Sequence, residues 1–250
     1  AAWTHTQNPP IHAWDIPALQ RRWNRLVSGS EQIDHVQYVC RRFLTGRKGL
    51  NAFSPGCGCG GNEVRWAETG LFARIDACDI STTRIDCAQA LAEQKRLAGI
   101  VKFSVGDMDG ISGESLYDLV ITEGALHHFY PVRSALEKIN RLLKPGGLLV
   151  INEFVGPSRF QWTERQLQAA NAILAIIPVA YRRRWPDDKI KKKIAAPGRL
   201  RMKLADPSEA AESAQILPLL RERFPPLDIK NKGGTLASLV FFEIARHYFQ

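Results

Sequence analysis

NAFSPGCGCGGNE, residues 51–63, is the stretch on which the fold turns. Its first four residues suit a short strand. They run directly into Gly56, Gly58, Gly60 and Gly61, and a helical pattern starts at Asn62. Glycine lets the chain turn sharply and lets a ligand approach the backbone with no Cβ in the way. The amides that open the following helix would then face that ligand. G-x-G-x-x-G is the fingerprint of dinucleotide binding, and Gly56, Gly58 and Gly61 fit that spacing loosely. A glycine turn that binds nothing is the plain alternative.

Downstream, short apolar runs at Phe72–Cys78, Val101–Val105, Leu116–Thr122 and Leu148–Phe154 alternate with helical patterns at Asn62–Thr69, Thr83–Leu97 and Pro131–Leu143. Strands separated by helices predict a mostly parallel sheet covered on both faces. Ligands of such sheets collect beyond the carboxyl ends of the strands. Upstream, Ala18–Leu26 and Gln32–Leu44 each carry apolar residues on one helical face, with Ser30 as the N-cap of the second. After Phe154 the alternation stops. Residues 157–222 hold two helical patterns, Thr163–Ile176 and Pro207–Leu220, the second with proline at a first-turn position. Strand character resumes at Pro226–Lys230 and Leu236–Ile244, on either side of Gly233 and Gly234, as an antiparallel pair at one side of the sheet.

Two carboxylates follow strand ends. Asp79, in ACDIS, stands where a carboxylate can accept from two ribose hydroxyls, as a dinucleotide site also requires. Asp76 is the alternative, but more apolar strand follows it. Capping the helix near Thr83 is the structural role open to either. Asp107, in VGDMD, can accept from an exocyclic adenine amine while the Met108 amide serves a ring nitrogen; a simple turn is the alternative.

Together these pieces resemble the class I S-adenosylmethionine-dependent methyltransferases over about residues 50–155. SPGCGCGGNE resembles the family's cofactor loop, with Ser54 where an acidic residue is usual. ACDIS and VGDMD resemble its second- and third-strand motifs, and SLYDLVITEGALHHF and LKPGGLLVINEF its fourth and fifth. The resemblance implies a Rossmann-like α/β fold: a seven-stranded, mostly parallel sheet with a final antiparallel strand. It implies an N-terminal helical lid (1–49), a core (50–156 and 223–250) and an insertion after the fifth strand (157–222) bordering the acceptor site. It also implies methyl transfer from S-adenosylmethionine held by Gly56, Cys57, Gly58, Gly60, Asp79, Ile80, Asp107, Met108 and Glu123, with Glu123 able to supply the carboxylate that Ser54 lacks.

The acceptor side is read from residues near those strand ends. His127 and His128 follow the fourth strand and Glu153 ends the fifth, so each is a candidate base. Ordering the site without moving a proton is the alternative, since proximity and orientation alone drive many methyl transfers. EFVGPSRFQWT resembles a stretch of bacterial small-molecule and glycan-associated methyltransferases, which makes Arg159, Phe160 and Trp162 acceptor neighbours. Tyr38 joins them, as a phenol that both packs and donates. The expected acceptor is a small molecule or glycan, methylated at oxygen. A non-catalytic domain of the same fold and an NAD-dependent oxidoreductase are the two rival readings.

Composition narrows the classes. With 45% hydrophobic and 24% charged residues, the chain is globular rather than disordered. It has no apolar run long enough for a membrane span, and AAWTHTQNPP has no signal core, so a cytoplasmic place is expected. The missing initial methionine suggests a mature form or a piece of a larger polypeptide. Net charge is +9, but ten Lys/Arg against two Asp between Arg182 and Lys203 supply +8 of it. One local patch argues against general nucleic-acid binding and leaves a solvated loop or contact with an anionic acceptor or surface. Five cysteines form no disulfide framework, and Cys57 and Cys59 have no second ligand pair at zinc spacing, so no metal is expected.

Overall fold

The computed structural model describes residues 11–185, 187–225 and 227–249. The start AAWTHTQNPP, which includes the first ten residues of the expected lid, lies outside them. So do Pro186 of the basic segment and Pro226, the first residue of an expected strand. The chain divides into two compact units.

The first unit contains 43–159 and 202–227. Its sheet has five parallel strands, β1 (Leu50–Pro55), β2 (Phe72–Asp79), β3 (Val101–Val105), β4 (Tyr117–Glu123) and β5 (Leu143–Asn152), in the order β3-β2-β1-β4-β5. Successive residues Leu119, Val120, Ile121 and Thr122 are all buried, as are Ala52, Phe53 and Ser54. Neighbours along a strand point to opposite faces, so both faces of these central strands are covered. Helices α3 (Gly61–Ala67) and α4 (Thr82–Gln94) pack near β2 and β3. Helix α5 (Val132–Leu142) turns Val132, Ala135, Leu136, Ile139 and Leu142, one helical face, into the core, where α8 (Ser213–Arg223) adds Ile216, Leu219 and Leu220. From β1 the sheet grows one way through β2 and β3 and the other way through β4 and β5. The order reverses between β1 and β4, which opens a crevice at their carboxyl ends.

The second unit contains the described part of 5–42, with 160–201 and 228–249. It holds α1 (Pro17–Ser28), nearly all of α2 (His35–Phe43), α6 (Glu164–Ile176) and α9 (Thr235–Phe241). Helix α7 (Arg199–Ala205) runs across the division. Ala170 and Leu174 of α6 pack with Val240 of α9, Ile194 and Ile244. Among the described residues no helix is long and apolar enough to cross a membrane.

The expected seven-stranded sheet with a final antiparallel strand is therefore incorrect: among the described residues the sheet has five strands, all parallel. The stretch Leu236–Ile244, expected as a strand, forms α9 and a turn. Its buried and half-buried residues Leu236, Leu239, Val240 and Ile244 fall at intervals of three and four, the helical period. Gly234, at φ 93°, opens the helix from the left-handed region. Residues 227–230 form no regular element. Other elements differ as well. Asp34 rather than Ser30 caps α2, accepting the Gln37 amide at 2.9 Å. Helix α7 had no counterpart in the sequence reading. Helix α8 starts at Ser213 rather than Pro207 because Asp206 Oδ1 gathers the Ser208 and Glu209 amides and the Ser208 hydroxyl, closing a local turn.

Candidate active site

The glycine loop leaves β1 at its carboxyl end. Gly56 (φ 74°) and Gly60 (φ 78°) sit in the left-handed region. A Cβ on Gly56 would stand 2.8 Å from the Ala125 Cβ, and one on Gly60 would stand 2.6 Å from Phe103. Only glycine fits at either position. The Gly56 and Cys57 amides donate to the Cys78 carbonyl, tying the loop to the end of β2. Asp79 completes that tie. Its Oδ2 accepts the Gly58 amide and its Oδ1 the Ser81 amide, each at 2.9 Å. A carboxylate has about four acceptor sites, so each oxygen retains one. Asp76 faces other partners, Arg74 at 2.7 Å and the Tyr117 hydroxyl at 3.2 Å. Past β3, Asp107 Oδ1 caps a single turn by accepting the Asp109 and Gly110 amides, and Met108 is buried beside it. Ile80 is 64% exposed at the end of β2.

The sequence reading missed Glu63. The Ser54 hydroxyl donates to Glu63 Oε1 at 2.6 Å, under the glycine loop. A carboxyl from α3 thus stands against Ser54, the position where the resembling family usually carries an acidic residue. Glu63 is 3% exposed, and its Oε2 is buried with no hydrogen-bond partner. Burial pushes its carboxyl up to about 7, against the Ser54 bond that pulls it down. Glu123, at the end of β4, accepts from the Trp66 indole at 2.7 Å and the Asn152 amide at 3.3 Å.

Beyond β4 and β5 the candidate bases come together. His127 Nδ1 lies 2.5 Å from Glu153 Oε1, whose side chain is 1% exposed and also accepts the Phe154 amide. The His127 and His128 rings lie 4.1 Å apart at 40°. Glu209, unforeseen in the sequence, faces both: Oε1 is 3.4 Å from His127 Nε2 and Oε2 is 3.9 Å from His128 Nε2. Burial works against charge on His127, but the Glu153 and Glu209 carboxylates outweigh it and hold the imidazolium up to about 9. Burial and the adjacent His127 push His128 down.

Arg159 explains how Glu209 gets there. Its guanidinium donates to the carbonyls of Asp206, Pro207 and Glu209, and its backbone amide donates to that of Ala210. It does so from φ 58°, a conformation that costs a non-glycine residue on the order of 1–3 kcal/mol and persists only where surroundings enforce it. Glu212 accepts the Val132 amide at the start of α5, and the Ser213 hydroxyl donates to the Gly156 carbonyl. The loop bearing Glu209 is thus fastened on both sides. The other acceptor-side candidates, Tyr38, Phe160 and Trp162, belong to the second unit. There the Tyr38 hydroxyl donates to Asp228 at 2.6 Å, and the Phe160 and Trp162 rings stack at 5.9 Å.

Residues 53–151 match the family model described as a methyltransferase domain. A demethylmenaquinone methyltransferase of Renibacterium salmoninarum is 29% identical over 71% of this chain and 73% of its own. The malonyl-acyl-carrier-protein O-methyltransferase of Priestia megaterium is 27% identical over 57% of this chain and 53% of its own. The ubiquinone biosynthesis O-methyltransferase of Rhodopseudomonas palustris is 27% identical over 45% of each chain. The chain spans about half the length of these last two. The solved trans-methyltransferase CalH, in complex with SAH, is 26% identical over 41% of this chain and 31% of its own, with a TM-score of 0.37. Residues 53–151 thus carry a methyltransferase domain, and the chain is similar to bacterial O-methyltransferases that act on small molecules.

Proposed function

We propose that this chain methylates an oxygen of a small-molecule acceptor. The glycine loop fits the cofactor: Gly56 and Gly60 keep Cβ atoms out of the turn, and the Asp79 carboxylate retains acceptor sites beside it for ribose hydroxyls. Asp107, Met108 and Ile80 would border the adenine. When bound, S-adenosylmethionine supplies a methyl group already activated on a positive sulfur.

The observation that carries the reading is the convergence of His127, His128 and Glu209 beyond the end of β4, beside the crevice where the strand order reverses. An alcohol must lose a proton as its oxygen forms the new bond to carbon, and this cluster would draw that proton away. Glu153 fixes the His127 ring through Nδ1, so it acts as a positioning residue and the Nε2 edge faces Glu209. The chain's remaining task is to hold the acceptor oxygen in line and exclude water.

Titration with S-adenosylhomocysteine tests the cofactor half, with saturable binding expected. Incubation with S-adenosylmethionine and a panel of hydroxyl-bearing metabolites, followed by mass spectrometry, tests the rest. A mass gain of one methyl group on a hydroxyl supports the reading; gain only on amines would overturn the choice of oxygen.

A further inference from the structure

Three features of the histidine cluster go beyond what a general base needs. First, both rings are held through the nitrogen remote from Glu209. His127 Nδ1 faces Glu153, and His128 Nδ1 lies 3.4 Å from the Ser208 hydroxyl, whose own proton goes to Asp206 Oδ1 at 2.6 Å. Nδ1 of each ring is thus turned to a partner of its own and Nε2 toward Glu209, where a cation would take the place of the His127 Nε2 proton. Carboxylate or hydroxyl partners of this kind are the usual outer shell of metal-bound histidines, where they fix the tautomer and the ring plane.

Second, the spacing suits ligands of a common ion better than hydrogen-bond partners. The His128 Nε2-to-carboxylate distance of 3.9 Å exceeds the roughly 2.7–3.2 Å of an N–H···O bond, and the His127 distance of 3.4 Å lies beyond its usual range. Donors about 2.0–2.1 Å from a tetrahedral zinc stand roughly 3.3–3.4 Å from one another. One donor atom from each of His127, His128 and Glu209 lies within 4.8 Å of the other two. Third, the carboxylate presents a different oxygen to each ring, and Arg159 and Glu212 hold the loop that carries it.

We infer that His127 Nε2, His128 Nε2 and the Glu209 carboxylate form a binding site for a borderline divalent cation of the zinc type, with Glu153 and Ser208 as its outer shell. Two imidazoles and one carboxylate are a donor set for zinc and its neighbours rather than for calcium or magnesium. Three protein ligands leave a coordination position open, as in catalytic zinc sites. The inference rests on the proposed function in one respect, that the open position faces an acceptor hydroxyl. A cation there would polarise that oxygen, so that its proton passes to water instead of to an imidazole while the oxygen lone pair forms the bond to the methyl carbon and the carbon–sulfur bond breaks, its electron pair going to the sulfur of the departing thioether.

The test is calorimetric titration of the chelator-treated full chain with zinc chloride, and then with cobalt(II) followed by its visible absorption. Saturable binding of one ion per chain is expected, with a tetrahedral cobalt spectrum that lacks thiolate-to-metal bands. This chain has five free cysteines, so that last feature separates the site from adventitious thiol binding. His128→Ala and Glu209→Gln should each weaken zinc at least tenfold. Glu153→Gln should weaken it 10- to 100-fold through the outer shell. Zinc affinity unchanged in His128→Ala and Glu209→Gln, thiolate bands in the cobalt spectrum, or no saturable binding would overturn the site. S-adenosylhomocysteine titrated into the same samples keeps the two questions apart. If it binds where zinc does not, the cation site alone falls. If it fails to bind while zinc binds, the methyltransferase reading falls and the cation site stands.

Discussion

Glu63 is a carboxyl kept away from water, and its protonation is coupled to folding. The folded protein retains its proton up to about pH 7, whereas the ordinary value is 4.5. Between those values the native state holds a proton that the unfolded chain has released. Stability from this group is therefore fully present below about pH 4.5 and is lost as pH rises through 7, by about 3 kcal/mol in all. Glu63→Gln should remove that slope and narrow the stability gap between pH 5 and pH 8, as read by urea unfolding at the two values. A variant with the parent's slope would show that the proton resides elsewhere. Asp79 has the opposite task, since it stays ready for polar partners at the loop it ties down. Asp79→Ala should weaken S-adenosylhomocysteine binding roughly ten- to hundred-fold, the effect of losing about 1.5–3 kcal/mol of charged hydrogen bonds. Calorimetry checks it, and an unchanged dissociation constant would remove Asp79 from the site.

At the level of elements, α9 depends on a cation outside it. Lys191 is buried, and its Nζ donates to the carbonyls of Leu239, Val240 and Phe242 at the helix's carboxyl end. Burial pushes its ammonium down to about 8. Lys191→Met would leave those carbonyls without their donor and should cost about 3 kcal/mol, visible as a lower urea midpoint. A midpoint equal to the parent's would mean that other groups satisfy them. The loop 206–212 depends in the same way on Arg159. Arg159→Ala should lower stability by about 2 kcal/mol and move Glu209 away from the histidines. The stability part is read by urea unfolding, and the displacement by a weaker zinc titration. These dependences show where reading a sequence stops. The strands of the sheet were legible because 50–152 alternates short apolar runs with helical patterns. The positions of the glycine loop, Asp79, His127 and Glu153 were legible because each directly ends or follows a strand; the pairing of His127 with Glu153 was not. Glu209 was not, because its place is set by an arginine fifty residues earlier in the chain. Glu63 was not, because nothing in a helical pattern tells which carboxylate points under the loop. Helix α9 was misread because the β-branched and aromatic run LVFF masked the spacing of Leu236, Leu239 and Val240.

For the whole molecule, charge and topology matter most. The net +9 is concentrated in the basic segment, yet several of its cations are committed within their own unit. Arg182 donates to the carbonyls of Ala175 and Ile177. Arg183 pairs with Asp188, and Arg184 with Glu243. Lys192 and Lys193 are exposed. Changing both to Gln should leave stability within about 0.5 kcal/mol and S-adenosylhomocysteine affinity unchanged, whereas Arg184→Gln should lower the melting temperature. Thermal scans of the two variants side by side decide it, and equal shifts would refute the distinction. Topology has a further consequence. Every strand pairing of the sheet is made from residues 50–152, while Glu209 follows more than fifty residues later. A chain emerging from the ribosome amino end first can therefore complete its sheet while Glu209 is still unsynthesised. The histidines and the carboxylate that faces them are separated in time as the protein is made, and the arrival of the 206–212 loop is the event that joins them.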